Sequence, residues 1–158
     1  MARYLDRDDY TISIGVQHLN EILDQAAEET TKKEDDLLQE AELTAQATIE
    51  AYLTAKFDIA TEFAKLSTDD PDTRYRLIMK CMVCLSIYHL YLTISPRDIP
   101  ELRENEYNNC IDMLDSARAG QMALPGLGDA TDPVVGTAFG SNTKFISKPF
   151  LDNSLQET

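Results

Sequence analysis

The side chains best suited to chemistry in this chain are its three cysteines and two histidines. Cys81-Met82-Val83-Cys84 is formally a C-x-x-C, and Cys110 and His89 are the nearest further ligands by sequence. A redox pair of this kind sits at the start of a helix, where the dipole lowers the thiol pKa. Here both thiols fall in the middle of a long apolar segment, so packing is the favoured role and no metal or redox centre is expected. His18 and His89 stand singly on amphipathic elements and read as packing residues. The acidic clusters Asp6-Asp8-Asp9, Glu34-Asp35-Asp36 and Asp69-Asp70-Asp72 lack the glycine and spacing of a calcium loop. Gly126-Leu127-Gly128 lacks the continuation of a phosphate loop, and no serine lies in a nucleophile elbow. The expectation is a protein without catalytic residues, cofactor or metal.

The elements around these residues predict an all-α fold. From Pro71 to Ile94 apolar residues dominate, opened by Asp70-Pro71 and closed by Pro96. Its few polar residues change face along its length: Arg76 and Lys80 first, then Ser86, His89 and Thr93. Such a helix must be wrapped by neighbours. It is the expected core helix rather than a membrane span, because the longest unbroken apolar run is Cys81 to Leu85. With no apolar leader at the N-terminus, a soluble, intracellular protein is expected.

Three helices should surround it. A first runs from about Asp9 to Gln25, weakened by Gly15. A long amphipathic one runs from Lys32 to Phe57, entered through a Thr31–Glu34 capping box, with Gln39, Glu42, Gln46 and Glu50 on its outer face. The last opens at Asp98, Pro100 and Glu101, buries Tyr107, Cys110, Ile111, Leu114 and Ala117, and stops at Gly120. The short link Ser95 to Arg97 predicts that it pairs with the core helix as an antiparallel hairpin. Ile59, Phe63 and Leu66 of the connector should fold back on the bundle.

These elements make residues 1–120 an antiparallel bundle of about four helices. Residues 121–158 form an extended, mostly irregular C-terminal arm, rich in glycine and proline. That arm nevertheless carries Val134, Val135, Phe139, Phe145, Ile146 and Phe150. So many apolar residues in an irregular segment suit an extended docking strand with a grip on another polypeptide.

With 14 Lys and Arg against 28 Asp and Glu, the net charge is −14. Phosphate binding rests on Lys and Arg, so nucleic acid should be repelled. The odd cysteine count argues against a disulfide framework.

Several segments resemble the head–tail connector (adaptor) family of tailed bacteriophages. They are Glu40-Ala41-Glu42-Leu43 through Ile49-Glu50-Ala51-Tyr52-Leu53 to Phe57-Asp58, then Tyr88-His89-Leu90, then Ile94 to Arg103, then Tyr107 to Leu114. Phe139-Gly140-Ser141-Asn142-Thr143-Lys144 is similar to the F-G-S-N-x-K signature near that family's C-terminus, which adds Asn142 and Lys144 to the candidate interface residues. After Lys144 the family commonly has another basic residue, where this chain has Phe145. The resemblance implies a structural virion protein in a ring, usually of twelve copies, below the portal protein. A downstream tail or neck protein would follow it, and DNA would pass through without specific binding. The alternative from another class is an acidic DNA-mimic or small regulatory protein that binds a basic host factor.

Overall fold

The computed structural model describes residues 3–130, which form six helices. Four are long: α2 (Val16–Thr30), α3 (Glu34–Leu53), α5 (Arg76–Ile94) and α6 (Glu101–Arg118). Two are short: α1 (Arg7–Ile14) and α4 (Ile59–Phe63). The fold is an all-α bundle, as the apolar periodicity predicts. α5 lies at its centre, against α3, α2, α6 and α1. Its length and mean hydropathy of 1.7 would allow a membrane crossing. Instead Ile78, Met79 and every residue from Cys81 to Ile87 are buried by the surrounding helices.

The ends of the elements depart from expectation for local reasons. Gly15 has φ +77 and ψ 149, a backbone that side-chain-bearing residues rarely adopt, and it divides the expected first helix into α1 and α2. α1 opens on a capping box between two aspartates. The Asp6 carboxylate accepts from the Asp9 N–H at 3.0 Å, and the Asp9 carboxylate accepts from the Asp6 N–H at 2.9 Å. The Thr31–Glu34 box does not form. Thr31 is left-handed (φ 59) and terminates α2, so its hydroxyl is not placed to cap α3. Lys33 is the N-cap without a side-chain bond, and Glu34, Asp35 and Asp36 complement the positive end of the helix instead.

α5 begins at Arg76 rather than at Pro71. The Asp72 carboxylate takes the Arg74 N–H at 3.1 Å, and Glu62 takes the Tyr75 N–H at 2.5 Å. Donors that a first helical turn would leave open are thus satisfied by side chains, and residues 70–75 remain a loop. α6 opens with Pro100 at the N-cap, and Asp98 makes no capping bond. At its far end Gly120, with φ +77, turns the chain as expected of a helix terminator. The Tyr88 and Tyr107 rings stack 4.1 Å apart and tie α5 to α6.

Residues 121–130, which composition assigns to the arm, lie on the body. Leu124 and Leu127 join the core. The Asp58 N–H donates to Gly128 O at 2.8 Å, and the Ala130 N–H donates to Lys56 O at 2.9 Å.

Candidate assembly surfaces and buried polar groups

The thiols come together in the structure. Cys81 and Cys84 of α5 and Cys110 of α6 are all buried and line one small cavity of about 170 Å³ between the two helices. Hydrogen bonding among the thiols, assisted by burial, pushes Cys110 up to about 12 and Cys84 higher still. Both stay protonated at neutral pH, the inert state for a nucleophile or a ligand. His89 does not join them. It lies on another side of α5, in a groove with Glu40, Ala41 and Leu92, and burial lowers its pKa. Among the described residues, no three His, Cys, Asp or Glu side chains converge in a metal-holding arrangement.

Three buried charges went unseen in the sequence. Arg74, with its side chain 4 % exposed, is held between Asp9 at 2.7 Å and Asp72 at 2.9 Å and also donates to the Tyr4 carbonyl. It fastens the N-terminal segment to the loop before α5. Its hydrogen bonds hold Asp72 at about 2, well below the usual carboxylate range. Glu62 on α4 accepts from the Tyr4 hydroxyl at 2.7 Å and pairs with Lys65. Glu42 on α3, expected on the outer face, is buried and accepts from the Tyr10 hydroxyl at 2.9 Å. Burial raises its pKa, and Arg3 at 3.9 Å opposes that rise. Periodicity could not find these residues because they sit at helix edges or in a loop. The tyrosines that partner two of them are separated from them by 58 and 32 positions.

The surface offers other features to an assembly. Ile12 and Val16 flank the α1–α2 corner, 86 % and 59 % exposed. Leu43 on α3 and Leu102 on α6 are similarly bare, at 57 % and 61 %. Exposed carboxylates are spread along α2 (Glu21, Asp24, Glu28, Glu29), α3 (Asp35, Asp36, Glu40) and α6 (Glu101, Glu104, Asp112, Asp115). α5 carries no acidic residue, and its first turns expose Arg76 and Lys80. The expected interface residues Val134, Val135, Phe139, Asn142, Lys144, Phe145, Ile146 and Phe150 all lie outside the described residues.

No curated protein and no solved structure matches the chain. A family profile described as "Bacteriophage Mu, Gp36" matches residues 4–139. The match takes in every helix and continues beyond Ala130 into the C-terminal segment as far as Phe139, so the chain belongs to the bacteriophage Mu Gp36 family and is a phage protein.

Proposed function

We propose that this protein is a structural, non-enzymatic head–tail adaptor, assembled as a ring below the portal and joined on its far side to a tail or neck protein. The observation that carries the reading is the phage-family match over the helical body and on to Phe139, where the F-G-S-N-x-K-like segment begins. A ring needs two different patches on each copy, because only a heterologous contact closes a cycle of many subunits. Ile12 and Val16 on one pair of helices, with Leu43 and Leu102 on another, supply bare aliphatic groups for such a contact. The C-terminal segment beyond the body supplies aromatic anchors for the portal or a neighbouring subunit. Its place in the particle is the neck at the portal vertex.

Electron microscopy of the purified virion tests this directly. The expected result is a ring of this chain between portal and tail. A virion neck without the chain would overturn the proposal.

A further inference from the structure

The described chain ends on the rim of a groove. The groove holds about 750 Å³ and runs between the last turn of α3, the turn that follows it and the start of α4, lined by residues that include Ala51, Thr54, Ala55, Phe57, Ala60 and Ala130. Four alanines with Phe57 and Ile59 make the lining mainly apolar, and Glu50 and Asp58 are its two carboxylates. On a convex surface exposed alanines would be ordinary. Here they floor a concavity, and the backbone already approaches it in a fixed direction.

That direction is set by the pairing of two strand-like segments. Gly128 O faces the Asp58 N–H, the Ala130 N–H faces Lys56 O, and Phe57 and Asp129 form an antiparallel bridge. As the chain advances from 128 to 130, its partner recedes from 58 to 56. Within the described residues the pairing thus runs along the partner toward Ala55 and Thr54. Beyond Lys56 the partner is the turn that closes α3, where the Thr54 and Lys56 N–H groups already donate to Glu50 O and Leu53 O, so strand-like pairing gives way to side-chain packing.

The residues that follow Ala130 in sequence are Thr131-Asp132-Pro133-Val134-Val135. Pro133 has no N–H to leave unpaired, and paired β-branched valines favour an extended backbone. Five extended residues reach at most about 17 Å. Ala51, in the last turn of α3, and Ala55, in the turn that follows, are four residues apart and so at most about 14 Å from each other, within that reach.

We infer that this groove is the seat of the same chain's Val134–Val135. The occupant is argued from effective concentration. A segment tethered at the rim competes at roughly millimolar local concentration, which a second copy in dilute solution does not match. The inference goes beyond the adaptor proposal: it places the first stretch after Ala130 on its own subunit and leaves the chain from Gly136 onward to reach others.

Cross-linking in the full-length protein tests it. Ala51→Cys or Ala55→Cys is combined with Val134→Cys or Val135→Cys, and each double variant is oxidised at low concentration. The native cysteines are buried and stay out of the reaction. The expected product is an internally cross-linked monomer in at least one pairing. It should form about tenfold faster than in a control of equal tether length, Ala55→Cys with Val134→Cys and Val135→Asp, in which tethering is unchanged and only the apolar seat is lost. A disulfide-linked dimer as the main product would overturn the inference in favour of a neighbour's segment in the groove. Rates no faster than the control in all four pairings would overturn it too. The virion-neck experiment is independent of this result, so either idea can fail alone.

Discussion

Three buried charged side chains set the most specific demands on the fold. Arg74 closes the gap between the N-terminal segment and the loop before α5 through Asp9, Asp72 and the Tyr4 carbonyl. Removing it leaves the largely shielded Asp9 carboxylate without its cation, while the more exposed Asp72 keeps Arg76 at 3.5 Å. Arg74→Ala should therefore lower stability by about 3–5 kcal/mol, measured by urea unfolding. Glu42 and Asp72 then give opposite pH signatures. Asp72 has a folded pKa below its usual 3.8, so its contribution is present above that pH and is lost as the pH falls toward about 2. Glu42 has a folded pKa above its usual 4.5, so its contribution is complete below that value and is lost as the pH rises through the raised pKa. Glu42→Gln keeps an acceptor for Tyr10 and should abolish the loss of stability above pH 4.5 in a pH series of thermal melts. The buried thiols are expected to resist maleimide in the native protein and to react on unfolding. Ready labelling of the native state would show that the α5–α6 seam opens.

At the scale of the helices, Gly15 is the position where one glycine decides the topology. Its φ of +77 lets α1 turn away from α2 with open space around it. Gly15→Ala meets no atom within 4 Å and should still cost about 1–2 kcal/mol through backbone strain. That break was half legible: the glycine is plain in the sequence, but the apolar spacing of Val16, Leu19, Ile22 and Leu23 invites a helix straight through it. The core helix was legible in its apolar content and its wandering polar face; of the stripe expected on α6, Cys110, Leu114 and Ala117 are buried, while Tyr107 and Ile111 lie at its edge and are only half-buried. The start of α5 was not, since Asp70-Pro71 carries a strong local signal and the competing bonds come from Glu62 and Asp72. Nor was the inward turn of Glu42, whose spacing places it on the solvent side until Tyr10 arrives from α1. Local chemistry predicts which segments are helical. Long-range side-chain partners decide where several of them begin and which charges go inside.

At the scale of the molecule, an acidic helical body takes in residues 121–130, which composition assigns to the arm. Leu124 and Leu127 hold residues 121–130 against the helices, so a docking strand can begin only beyond Ala130. In the proposed ring, any of α2, α3 or α6 facing the bore would present carboxylates to passing DNA, and repulsion of phosphates would keep the genome sliding. The protein should accordingly show no retention of duplex DNA even at low salt in a gel-shift assay. The bare aliphatic corner at Ile12 belongs to the proposed subunit contact. Ile12→Asp should leave the melting temperature within about 2 °C, as a surface change does, while removing rings seen by native mass measurement. In the proposed adaptor the chain after Gly136 must grip another polypeptide of the particle. The direct test is to stop the gene after Gly136 in the phage and to count particles by electron microscopy. DNA-filled heads without tails are the predicted outcome, and tailed, infectious particles at the normal yield would contradict it.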